Sequence, residues 1–284
     1  MITSSSSLKK KIAVVTGGGG ILCGYLAGKI AEYGIKVAII DLKREAAESV
    51  AHKINEKGGT ALPIEADVLD KNSLTKAESL ILNKLGPWNI LINGAGGNHP
   101  KGTTSSEYLT LNDLNNEGPG IMNFFDLDSE GVNFVFDLNF LGTFLSTQVF
   151  AKKMINQKGA IIINISSMNA FRPLSKIPAY SAAKAAVSNF TQWLAVYFSK
   201  VGIRVNAIAP GFFLTDQNRS LLIDKNGAFN SRAKRILDHT PLERFGTPED
   251  LLGTLLWLID EEASGFVNGI VIPVDGGFSA FSGV

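Results

Sequence analysis

The sequence predicts an α/β protein, a single doubly wound domain with about seven parallel strands and helices on both faces. Three observations carry this reading. Short β-branched runs alternate with longer amphipathic stretches along the whole chain. Most of the runs are apolar almost throughout, as strands must be when helices cover both sides of the sheet. Glycine-rich or polar residues gather just after the runs, where ligands bind on such sheets.

In order, the strand Ile12–Thr16 precedes a helical stretch at 25–33, and a run at 36–40 precedes one at 44–57. A third run at 61–64 leads to a helix at 73–85, and Ile90–Asn93 leads, after a long interval, to one at 131–155. Ala160–Ile165 is followed by a helix at 179–201, and 204–208 by one at 248–260; the last run is 269–273. No repeat and no Pro- or Gly/Ser-rich linker divides the chain, so residues 1–284 read as one domain with a frayed start at 1–9.

The chain has 284 residues, 45% of them hydrophobic, enough to bury a sizeable core. Its 27 basic and 26 acidic residues leave a net charge of +1, which gives no electrostatic case for nucleic acid or an anionic membrane. The single cysteine, Cys23, excludes an internal disulfide and suits a reducing compartment. The N-terminus lacks the charge-then-apolar order of a secretory signal. No apolar run approaches the roughly 18–20 residues of a membrane span. The expectation is a cytoplasmic protein. His52, His99 and His239 are widely separated and no cluster has metal-ligand spacing, so no metal is expected.

Directly after the first strand, Thr16-Gly17-Gly18-Gly19-Gly20-Ile21-Leu22-Cys23-Gly24 opens a helix. Glycine lets backbone turn tightly against a pyrophosphate, whose charge the helix N-terminus favours. The glycines at Gly17, Gly20 and Gly24 are spaced wider than the usual Rossmann fingerprint, and Cys23 stands about where a glycine is often found. The second run ends in Asp41, 24 residues beyond Gly17. A carboxylate there can accept both ribose hydroxyls of NAD and repel the 2′-phosphate of NADP. NAD is therefore the expected cofactor, with Lys43 and Arg44 leaving room for minor NADP use.

Further along stand Asp67-Val68, Asn93-Gly94-Ala95-Gly96, Leu138-Asn139-Phe140, Ile165-Ser166-Ser167 and Tyr180-Ser181-Ala182-Ala183-Lys184, then Pro210-Gly211 with Thr215, and Val274-Asp275-Gly276-Gly277. With these motifs the chain resembles the short-chain dehydrogenase/reductase family over nearly its whole length. Gly94 departs from that pattern, replacing the second Asn of the family's turn. Tyr180 and Lys184, four apart, share a helix face, so the ammonium can lower the phenol toward working pH and make Tyr180 a general acid/base. The resemblance implies that Ser167 bonds the reacting oxygen and that Asn139 extends the proton relay through a water held against Lys184. It places Asp67, Val68, Asn93, Ala95, Gly96, Tyr180, Lys184, Pro210, Gly211 and Thr215 around the cofactor, with Thr215 at the nicotinamide carboxamide. It also implies a homotetramer paired through the long helices that carry Asn139 and Tyr180.

Two segments bear on substrate. An insertion at about 98–123 holds His99 and Lys101 and has the length of a lid or binding loop. Met168-Asn169-Ala170-Phe171-Arg172-Pro173 lies between Ser167 and Tyr180, where the resemblance implies substrate-facing residues, here Asn169 and Arg172. An Arg there suits a carboxylate. These segments are similar to the D-mannonate oxidoreductase (fructuronate reductase) branch, implying interconversion of D-fructuronate and D-mannonate with NADH. Alternatives are another sugar-acid or polyol dehydrogenase of the gluconate 5-dehydrogenase type, a 3-oxoacyl thioester reductase, or a non-catalytic NAD(H) sensor. An intact Asn139, Ser167, Tyr180 and Lys184 set argues against the last.

Overall fold

A computed structural model describes residues 8–114, 121–214 and 222–283. The expected doubly wound sheet is present: seven strands, all parallel, in the order β3-β2-β1-β4-β5-β6-β7. They are β1 Ile12–Thr16, β2 Lys36–Asp41, β3 Ala61–Glu65, β4 Ile90–Asn93, β5 Ala160–Ile165, β6 Ile203–Pro210 and β7 Val271–Val274. The order reverses between β1 and β4, so a crevice opens at their carboxyl ends, the position where such sheets bind ligands.

Helices α1 Ile21–Glu32 and α2 Arg44–Glu56 lie on one face, with α9 Leu252–Ile259 beside them; Val15, Ile39, Ile92 and Ile163 pack beneath. The other face carries α3 Lys71–Lys84, α6 Gly142–Phe150 and α7 Pro178–Tyr197 over Val14, Ile40, Leu91 and Ile162. Alternate residues of each strand thus enter opposite cores, which explains why the strands are apolar on both sides. The short α4 Leu111–Leu114 lies in the insertion, α5 Ser129–Phe136 precedes α6, and α8 Ser231–Asp238 follows β6.

Two expectations are corrected. Leu8 is fully buried in the first core and Lys11 N donates to its carbonyl, so order begins before residue 9. Also, α5, a π-turn, α6 and a closing 3-10 turn at Ala151–Lys153 run on as one 25-residue helix, Ser129–Lys153, with a mean hydropathy of 1.2 over an 18-residue window. By length and composition it could span a bilayer, where no run was expected to qualify. Half of that window is buried, however, and α6 packs on α3 and β4 while α5 packs on α7.

Candidate active site

The glycine loop folds around two close approaches. Gly17 has φ +62°, and a Cβ there would meet Ala95 Cα and N at 2.8 Å. A Cβ on Gly19 would lie 2.9 Å from Asp41 Oδ2, the atom to which Gly19 N donates at 3.0 Å. The other Asp41 oxygen accepts from Lys43 N, also at 3.0 Å. Each carboxylate oxygen keeps a further acceptor site. Helix α1 starts at Ile21, four residues before the expected start, with Gly20 as N-cap and no side-chain cap. Its first-turn N–H groups are thus available to an anion, the arrangement a pyrophosphate needs. Gly19 was not among the expected cofactor residues; its approach to Asp41, on another strand, adds it to the candidate site.

At the end of β4, Asn93 is 2% exposed, and its Nδ2 donates to Thr147 Oγ1 and Asn164 Oδ1, both at 2.9 Å. Its side chain ties β4 to α6 and β5 and turns away from the crevice, so any part in cofactor binding passes through the turn it anchors. Val68 is likewise buried, against the site where a Cβ on Gly142 would fall. Asp67 Oδ1 accepts from Leu69 N at 2.8 Å, closing the turn after β3.

The π-turn Asp137–Leu141 presents Asn139, which is fully buried. Such single turns widen a helix locally and re-aim one side chain. Asn139 Nδ2 donates to Gly97 O and Val135 O at 2.7 Å each, while its Oδ1 accepts from Gly97 N at 3.2 Å. A Cβ on Gly96 would come within 2.6 Å of Asn139 Oδ1 and 3.1 Å of Lys184 Nζ, so the turn after β4 brings these two side chains together.

Ser167 follows β5 and caps the turn Met168–Ala170 by accepting from Asn169 N at 3.2 Å. Tyr180 and Lys184 lie in the first two turns of α7, Pro178 setting its start. Tyr180 packs against the small cluster of Val135, Ala179 and Ala183. Burial raises the Tyr180 phenol above its ordinary value, while a hydrogen bond with Ser167 works the other way. Lys184 is 4% exposed, donates to Ile165 O at 2.8 Å, and is pushed down to about 8 by burial. The expected lowering of the phenol by Lys184 is thus not supplied by the protein alone. Nζ stands 5.7 Å from the ring centroid, and desolvation drives both groups toward their neutral forms.

Pro210 and Gly211 meet the C-terminal motif: Gly211 N donates to Val274 O at 3.0 Å, and a Cβ on Gly211 would strike Asp275. Thr215 lies outside the described residues.

Among the substrate candidates, Asn169 is 5% exposed and its Oδ1 has no partner among the described residues. Arg172 is exposed, with Nε donating to Ser279 O at 3.0 Å. The Lys101 ammonium is paired with Asp128 at 2.8 Å and faces Glu130 at 3.9 Å. His99 spends Nδ1 on Lys101 N, capping a short turn, and its ring lies 5.0 Å from that of Phe134. The insertion is knitted to both neighbours of the crevice. Thr104 N donates to Lys176 O at 2.8 Å in the Ser167–Tyr180 segment, and Arg235 of α8 grips Glu107 through two bonds of 2.7 and 3.0 Å. A separate cavity of about 620 Å³ lies between α1 and α2; it reaches Gly19 and Gly20 but none of Ser167, Tyr180 or Lys184.

A sheet that reverses order beside a glycine loop, with a buried Ser, Lys and Asn and a half-buried Tyr at its mouth, defines a class of oxidoreductase. The chain belongs to the short-chain dehydrogenase family, whose model matches residues 11–226. It is 52% identical over 284 residues to a Bacillus subtilis protein named uncharacterized oxidoreductase UxuB, covering 100% of both chains. A crystal structure with bound NAD, of a protein from Haemophilus influenza carrying the provisional name D-mannonate oxidoreductase, is 55% identical and superposes with a TM-score of 0.93 over 98% of each chain. At greater distance, 5-keto-D-gluconate 5-reductase of Escherichia coli is 30% identical over 95% of this chain and 96% of its own.

Proposed function

We propose that this protein is an NAD-dependent oxidoreductase interconverting D-mannonate and D-fructuronate. The observation that carries the substrate reading is the 55% identity, over nearly the full length, to the NAD-bound protein provisionally named for D-mannonate. NAD suits the residues present: Gly17 and Gly19 leave room for close backbone approach, the α1 N-terminus faces the crevice, and Asp41 offers acceptors to ribose hydroxyls. When bound, NAD exchanges a hydride with the carbinol carbon through its nicotinamide ring.

The chain's own residues handle the proton and the charge. In reduction, Ser167 donates a hydrogen bond to the substrate carbonyl oxygen, and Tyr180 delivers its phenolic proton to that oxygen as it becomes an alcohol. Lys184, held on Ile165 O, stabilises the resulting phenolate, and Asn139 beside it extends the proton path outward. The Ser167 hydrogen bond works against the burial that raises the Tyr180 phenol. Arg172 grips the sugar-acid carboxylate through its terminal nitrogens while Nε stays on Ser279, and Asn169 accepts from a substrate hydroxyl. The insertion, fastened to Lys176 and Arg235, closes one side of this pocket.

The exposed ring stripe on α6 and α7, including Phe144, Trp193 and Tyr197, supports pairing of these helices into a homotetramer. The reading is tested by following NADH oxidation with D-fructuronate in the native protein and in Tyr180→Phe. Turnover in the first and its collapse in the second are expected; turnover in neither refutes the substrate, and equal turnover in both refutes the mechanism.

A further inference from the structure

Two irregularities of the sequence, Cys23 in the glycine loop and Gly94 after β4, meet in space. A Cβ on Gly94 would land on Cys23 Sγ and come within 2.9 Å of Thr16 O. We infer that Cys23 is a positioning residue for the cofactor site: its sulfur fills the volume beneath residue 94 and sets the height of the Gly94-Ala95-Gly96 turn.

That turn is held on every side. Gly94 N donates to Thr16 O at 3.2 Å, and Thr16 Oγ1 accepts from Gly94 N and Ala95 N at 3.2 and 3.4 Å. Ala95 forms the wall against which Gly17 packs, and Gly96 abuts Asn139 Oδ1 and Lys184 Nζ. Displacing the turn by a few tenths of an ångström therefore disturbs the phosphate loop at one end and the proton path at the other. Cys23 is 5% exposed within the first turn of α1, and burial pushes its thiol up to about 11, so it acts as a small neutral filler. Alanine would leave a void, and a branched side chain would overpack the turn. The pair is size-complementary: a thiol at 23 requires no side chain at 94.

The inference rests on the proposed roles of Asn139 and Lys184, but its first readout, NAD affinity by titration without turnover, is independent of them. Cys23→Ala should weaken NAD by about threefold to tenfold and move the acid/base limb of the pH–rate profile. Gly94→Ala should cost at least about tenfold more affinity in the native background than in the Cys23→Ala background, since the latter has lost the sulfur that blocks it. Recovery stays incomplete because Thr16 O still crowds the new methyl. Should Gly94→Ala alone fail to fold, a folded, NAD-binding double variant supports the pairing and an unfolded one overturns it. Equal costs in both backgrounds overturn it too, as does a Cys23→Ala variant that loses thermal stability while NAD affinity and pH profile stay put. If turnover survives Tyr180→Phe, the proton-path reading fails while the affinity comparison still decides this one.

Discussion

Lys184→Met should make the protein more stable at neutral pH while abolishing its turnover. The ammonium is 4% exposed, and burial pushes it from the usual 10.5 down to about 8. Each unit corresponds to about 1.4 kcal/mol, so keeping the charge folded costs on the order of 3 kcal/mol at pH 7. Methionine of similar length removes that cost but also the bond to Ile165 O, worth about 1–2 kcal/mol. The net gain is about 1–2 kcal/mol, or roughly 2–6 °C in Tm for a domain of this size. The pH dependence gives the sign. Below about 8 the folded and unfolded chains both carry the proton and the burial cost is fully present. Between about 8 and 10.5 only the unfolded chain carries it, so native stability rises with pH and the cost fades. The variant's advantage should thus be largest below pH 8 and vanish or reverse near pH 10. Thermal unfolding of both proteins at pH 6.5, 8 and 10 reads this directly. A variant less stable than native by the same margin at all three values would refute the reasoning.

Tyr180→Phe should leave NAD affinity within about twofold and lower turnover by about 10²–10⁴, measured by titration and single-turnover kinetics; near-normal turnover refutes general acid/base action at Tyr180. Asp41→Ala should cost NAD about tenfold to a hundredfold in kcat/KM and narrow its lead over NADP, because ribose acceptors and a repulsive charge vanish together. A native enzyme that prefers NADP sinks that assignment. Arg172→Ala should raise KM for a sugar acid about tenfold to a hundredfold, with little change for an uncharged polyol. Equal losses on both would mean that Arg172 only braces Ser279.

Much of the site was legible because its chemistry is local in sequence. Tyr180 and Lys184 declare themselves by one helical turn, and Ser167 by standing at the end of an apolar strand. The strands were legible for the same reason: β1, β4 and β5 begin and end where their apolar runs do. The missed features are contacts between distant segments. Nothing near Asn139 signals that its amide closes on Gly97, and nothing near Arg172 signals Ser279. The partner of Lys101, Asp128, lies beyond the inserted segment and could not be paired with it from spacing. The start of α1 was hidden by Gly24 and Cys23, which break helical periodicity yet sit inside the helix. The surroundings of the Tyr180 phenol were hidden for a related reason. Spacing shows a neighbouring cation but not the burial that raises the Tyr180 phenol and lowers the Lys184 ammonium.

The central claim is the pairing of an NAD site with a sugar-acid substrate. It is tested most directly by kcat/KM for NADH-dependent reduction of D-fructuronate against 5-keto-D-gluconate and a 3-oxoacyl thioester, with product identified as D-mannonate. A pocket that grips one carboxylate and reads specific hydroxyls should favour D-fructuronate by about a hundredfold or more. Equal or greater efficiency with 5-keto-D-gluconate or the thioester, or no reduction of D-fructuronate at all, would contradict the account.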